Sequence, residues 1–171
     1  MTVLPDWRIH QLGRAGVISP FDPDLVNPAS LDLRLGPTLL IESAQSRQLI
    51  PYPLDRHDAD RPYELAPGQF VLAATLEQFN LPNDICGQFL LKSSRAREGL
   101  DHALAGWADP GWHGSALTLE LTNHRQLWSL PLFPGLRIGQ MVFHTLNDRV
   151  AMPYAITGRY NNDPAVQSSR G

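Results

Sequence analysis

The sequence predicts an all-β fold, a barrel or a sandwich, on three observations. Apolar runs of strand length recur at 70–76, 85–91, 117–121, 127–132 and 138–145, each bounded by Pro, Gly or Asn. Fifteen prolines and thirteen glycines punctuate the 171 residues at a spacing that favours many short strands over the long helices of a parallel α/β protein. Two segments also alternate strictly. Leu31, Leu33 and Leu35 oppose Asp32 and Arg34, and Leu117, Leu119 and Leu121 oppose Thr118, Glu120 and Thr122. Successive side chains on a strand point to opposite faces, so each segment reads as a half-buried strand.

Taken in order, the chain opens with Asp6 as the expected N-cap of a short helix from Trp7 to Arg14, stopped by Gly16. Segment 17–29 carries three prolines and reads as irregular. The strand at 30–36 follows. Residues 43–66 are polar and proline-punctuated, expected as a long loop or a hairpin with a mobile tip. The apolar runs then succeed one another to residue 145. The last dozen residues are polar and expected to be loosely held until something orders them, from about residue 160. With no internal repeat and a length that suits one core, residues 1–171 read as a single domain.

Composition narrows the function mainly by exclusion. Hydrophobic residues make up 43% and charged residues 18%, as in ordinary globular proteins, and no apolar run is long enough to span a bilayer. The first residues show neither a basic nor an apolar leader region, so the expected location is cytoplasmic. Cys86 is the only cysteine, which rules out an intrachain disulfide. A net charge of −3 argues against a nucleic-acid partner, which would need a broad basic surface.

Residues 89–123, FLLKSSRAREGLDHALAGWADPGWHGSALTLELTN, concentrate the chemistry. Lys92, Ser93, Ser94, Arg95 and Arg97 gather three cations and two hydroxyls, a composition suited to a polyanion such as a triphosphate. Asp109 follows in an Ala-Asp-Pro-Gly-Trp turn. Glu120 then stands between two threonines on one strand face, where a polar pocket can use a carboxylate. A zinc-activated water is not supported, because one cysteine cannot supply a Pro-Cys-x-x-Cys site. The six histidines, His10, His57, His102, His113, His124 and His144, likewise form no His-Glu-x-x-His pairing. His102 and His113 are expected to be structural, hydrogen-bonding the turn. No Gly-x-Ser-x-Gly elbow occurs. A hydrolysis without a metal needs one group that takes a proton from water and returns it to the leaving group, and a buried glutamate can do both.

Six ordered segments resemble the dCTP deaminase family of the dCTP deaminase/dUTPase superfamily. They are SLDLRLG (30–36), Pro67-Gly68 before Thr75-Leu76-Glu77, KSSRAREGL (92–100), AGWADPGWHG (105–114) with LTLELTN (117–123), PGLRIGQ (134–140), and Gly158-Arg159-Tyr160 with Ser169-Arg170. The resemblance implies a distorted β-barrel of the dUTPase-like (β-clip) type with short helices, assembled as a homotrimer with active sites at subunit boundaries. It implies deamination of a deoxycytidine nucleotide, dCTP to dUTP and ammonia. The alternatives are a bifunctional enzyme giving dUMP and pyrophosphate, a dUTPase, and a non-catalytic nucleotide-binding regulator. Ala105-Gly106 before Trp107 looks closer to the bifunctional members.

Carried over residue by residue, the resemblance gives Glu120 the water-activating role, with Ser93, Arg97 and Ala105 also catalytic. Ala105 is the small residue beside the base. Lys92, Ser94, Asp109, Thr118, Leu119, Tyr154, Arg159 and Asp163 are the expected substrate contacts, Asp109 on the deoxyribose 3′-hydroxyl. Magnesium is expected to be held through substrate phosphates rather than by protein ligands. The chain departs from the family pattern in three places. Leu91-Lys92 replaces Gly-Arg, which loses a bidentate fork. One extra residue stands between Gly114 and Glu120, and a β-bulge would absorb it. Asp163 replaces a glutamine expected to touch the terminal phosphates.

Overall fold

The computed structural model describes residues 2–171 and is built from two six-stranded antiparallel sheets. The first runs Trp107–Ala108, Ile85–Leu91, Arg137–Thr145, Ser30–Arg34, Val26–Asn27, with Thr2–Val3 also on Arg137–Thr145. The second runs Leu100–His102, His113–Asn123, Phe70–Asn80, Thr38–Ser43, Ser46–Pro53, with Ile18–Ser19 also on Phe70–Asn80. A small ribbon pairs Leu130–Leu132 with Tyr63–Leu65. Helices are confined to Asp6–Arg14, Ser93–Glu98 and Tyr154–Thr157, with one 3-10 turn at Pro23–Leu25. The all-β reading therefore holds. Among the described residues no helix is long and apolar enough to cross a membrane.

The two alternating segments explain why the sheets meet. Leu33, Leu35, Leu119 and Leu121 are fully buried between them, with Phe79, Phe143, Ile138 and Met141. Phe79 packs on Phe143 with ring centroids 6.3 Å apart and stacks on Trp112 at 5.7 Å. Burying each such side chain contributes about 1.5–3 kcal/mol relative to exposure. The polar face of Ser30–Arg34 is less open than alternation suggests. Asp32 is buried and takes Lys92 Nζ at 2.6 Å, while the Arg34 Nε lies 2.7 Å from buried Glu77.

Several local expectations need correction. Pro5, not Asp6, is the N-cap of the first helix; its carbonyl accepts from Arg8 and Ile9, and the Asp6 carboxylate accepts from the Trp7 N–H. Of the two readings offered for 43–66, the hairpin holds for its first part, where Ser46–Pro53 returns along Thr38–Ser43, while Tyr63–Leu65 pairs elsewhere. The predicted strand at 127–132 begins only at Leu130, because Leu127 and Trp128 turn outward to solvent. Trp112, which ends the Asp-Pro-Gly turn, is buried on Phe79.

Candidate active site

Two backbone devices set up the site. The first is the turn Asp109-Pro110-Gly111-Trp112, closed by the Trp112 N–H on the Asp109 carbonyl at 3.1 Å. Pro110 presets its own φ, and Gly111 adopts φ +84°, the left-handed conformation that position i+2 of a type II turn requires. The Trp107 Nε1 donates to the Asp109 carboxylate at 3.0 Å and fixes it. The second is a bulge. His113 pairs with Asn80 and Ser115 with Phe79, so two residues of one strand face one of the other, with Gly114 at φ +63°. A further register shift lies between Ala116 and Thr118, after which Glu120 stands opposite Leu72. The expected bulge is present, and Thr118 and Glu120 face away from the leucine core.

They face a cavity of about 870 Å³, well within the range of small-molecule sites. Its walls bring together Ala105, Asp109, Thr118, Glu120, Tyr154 and Asp163, residues far apart in the chain. The Glu120 side chain is 25% exposed, and its Oε2 lies 3.2 Å from the Nε2 of His102, which is buried. His113 does hydrogen-bond the turn as expected, through Nδ1 and the Gly111 carbonyl at 3.2 Å.

Other expected site residues do not line this cavity. Ser93, Ser94 and Arg97 sit on the short, exposed Ser93–Glu98 helix, and Arg159 is also exposed. Lys92 is tied to Asp32 rather than free. Leu119 does not line it either. Its side chain is wholly buried on the core face of the strand, as period-two geometry demands once Glu120 faces the pocket.

The C-terminal segment is more ordered than its composition suggests. The Tyr160 carbonyl accepts from the Trp112 Nε1 at 2.7 Å, and Ser115 Oγ accepts from the Asp163 N–H at 3.1 Å. The Ala116 N–H donates to the Asp163 carbonyl, the Gln167 N–H to Thr118 Oγ1, and Val166 packs with Leu40, Leu72, Ala74 and Ala116. Arg170 closes the segment on itself, with Nη2 2.6 Å from the Asp163 carboxylate. That hydrogen bond pushes the Arg170 guanidinium above its ordinary range. Asp163 therefore carries a counter-charge from its own segment on one carboxylate oxygen.

Sequence reasoning missed the hairpin edge at Arg47, Gln48 and Leu49, and gave no site role to Gln167, Ser168 or Ser169, all of which line the cavity. The available signal was weak. Residues 46–53 alternate imperfectly and contain two prolines.

Comparison with known proteins gives the family and the fold. The profile of a family described as dCTP deaminase-like matches residues 3–146. A dCTP deaminase, dUMP-forming, of Methanoculleus marisnigri is 39% identical over 163 residues, covering 89% of this chain and 84% of the relative. The protein of the same description in Mycobacterium ulcerans is 40% identical over 156 residues, covering 85% and 80%. A crystal structure of 2′-deoxycytidine 5′-triphosphate deaminase from Agrobacterium tumefaciens superposes with a TM-score of 0.69 at 23% identity, a likeness of fold. It covers 84% of this chain and about half, 48%, of that longer one. By the extent of the profile match and the identity to these relatives, the chain belongs to the dCTP deaminase-like family.

Proposed function

We propose that this protein is an enzyme that deaminates dCTP and cleaves the product to dUMP. The observation that carries the reading is Glu120, a carboxylate held on a rigid strand at the wall of a nucleotide-sized cavity. In the first step Glu120 takes a proton from a water that attacks C4 of cytosine, then delivers a proton to the departing amino group. One water enters and one ammonia leaves. In the second step another water attacks at phosphorus, and pyrophosphate leaves with dUMP remaining. Asp109 holds the deoxyribose 3′-hydroxyl and helps position that second water. The initial expectation of dUTP as final product gives way here, because the relatives at 35–40% identity carry dUMP-forming in their names.

The phosphates fall to Ser93, Ser94, Arg97 and Arg159. Since these stand outside the cavity of their own chain, we assign them to the neighbouring subunit's site in a homotrimer. Exposed Leu90, Leu104 and Trp107 supply apolar surface for such an interface. Magnesium belongs to the substrate in this scheme, bound to its phosphate oxygens. Among the described residues no group of His, Cys, Asp or Glu gathers into a metal cage. A cytoplasmic location is part of the same proposal, supported by a lone buried thiol.

The test is to incubate purified protein with dCTP and magnesium and separate the products. Formation of dUMP, ammonia and pyrophosphate is expected. Accumulation of dUTP alone would restore the single reaction, turnover of dUTP only would make it a dUTPase, and no turnover would leave a nucleotide-binding regulator. Glu120→Gln should lower deamination at least about a hundredfold while nucleotide binding persists. More than a tenth of wild-type turnover in that variant would remove Glu120 from the role.

A further inference from the structure

Three buried polar atoms of the site lack a hydrogen bond among the described residues, the Asp163 Oδ2 and a facing pair. The His102 Nε2 and the Glu120 Oε2 are both buried, and neither has a hydrogen bond among the described residues. They lie 3.2 Å apart, close enough for one but not aligned as one. Their surroundings differ. The His102 ring is wedged against Phe89, with centroids 4.8 Å apart and planes at 57°, and its side chain is 4% exposed. Its strand is pinned by Leu100–His102 pairing with the end of His113–Asn123. The backbone of Glu120 is held too, by the Ala103 N–H on its carbonyl at 3.2 Å. The Glu120 side chain, 25% exposed against 4% for His102, is the less confined of the two.

We propose that His102 is a positioning residue for Glu120, an inference that rests on the catalytic role assigned above. The ring is the fixed partner and the carboxylate the adjustable one. Rotation about the last torsion of Glu120 aligns Oε2 with the Nε2–H of His102. Oε2 is then occupied as an acceptor, and Oε1 alone faces the cavity to take and return the proton. His102 contributes nothing to substrate affinity, because it stands behind Glu120 and outside the cavity walls. Its effect falls on turnover. A catalytic carboxylate needs its supporting shell to hold it to within about half an ångström, and small misplacements cost up to about a hundredfold in rate.

The bland role for a buried histidine is packing, and phenylalanine would fulfil it. The test compares His102→Phe, which keeps a ring on Phe89 but removes the donor, with His102→Gln, whose amide can still donate to Oε2. For both, kcat, KM for dCTP and Tm are measured beside wild type and Glu120→Gln. The expected result is a loss of kcat of about tenfold or more in His102→Phe at unchanged KM and Tm, with most of it recovered in His102→Gln. Wild-type kcat in His102→Phe would overturn the proposal. So would equal losses in both variants that track their Tm. Should His102→Phe not fold, His102→Met replaces it in the same comparison. An inactive Glu120→Gln beside a fully active His102→Phe would sink this inference and leave the proposed function standing. A fully active Glu120→Gln would end both.

Discussion

Ser115→Ala should release the C-terminal segment without unfolding the sheets. Ser115 is 1% exposed, and its oxygen accepts from the Asp163 N–H at 3.1 Å. Its single proton serves either the His113 carbonyl at 3.0 Å or the Tyr160 carbonyl at 3.1 Å. The Tyr160 carbonyl keeps a second donor, the Trp112 indole, so its loss is tolerable. The Asp163 N–H has no such reserve and is left unpaired in a buried position. An orphaned buried donor costs roughly 1–3 kcal/mol, which shifts the docked–released balance by about 5- to 150-fold. Hydrogen exchange read by mass spectrometry should quicken by that factor across residues 160–171 and stay unchanged in Arg137–Thr145. Unaltered protection of the segment would refute the assignment, and so would uniform loss across every strand.

Three further outcomes are expected. Co-refolding Ser93→Ala with Glu120→Gln chains should recover roughly a quarter of wild-type turnover if sites are shared in a closed symmetric trimer; mixed trimers with no activity would place both residues in one subunit's site. Chelating magnesium should raise KM for dCTP while leaving Tm of the ligand-free protein unchanged, and unchanged KM would argue against a metal-borne triphosphate. Cys86 is wholly buried, and burial is the first cause pushing its thiol above the ordinary value of 9.0. The stability it carries is full below that value and is lost as pH rises through the folded one. The denaturation midpoint should therefore fall more steeply above pH 9.0 in wild type than in Cys86→Ala, and parallel profiles would contradict it.

Features governed by local rules were legible in the sequence. The leucine alternation at 117–121 gave the strand, its inner face and the outward Glu120; Asp-Pro-Gly gave the turn. Long-range pairing was not legible. Nothing at 46–53 says that Arg47 and Leu49 will edge a cavity, because that depends on Thr38–Ser43 packing between Phe70–Asn80 and the hairpin return. The C-terminal segment misled for a related reason. Its polar residues do not form a core of their own, but they bond to carbonyls and hydroxyls that another strand has already fixed. Leu119 differs again: period-two geometry sends its side chain to the core side of the strand, which leaves only its backbone for a ligand.

The bulge at Gly114 has a consequence for how mutations at this locus behave. Strand side chains keep parity, so removing one residue upstream of Glu120 while the bulge at Gly114 stays would exchange odd for even all along the strand. Leu119 would then point into the cavity and Glu120 at the leucines. A single-codon deletion there could silence the enzyme while every catalytic residue remained encoded. Conversely, residues 113–116 act as a phase adjuster, whose length can drift between relatives only when the local bend drifts with it. Such a protein would carry the full motif and none of the chemistry, a false positive for any reading that counts residues without asking which way they face.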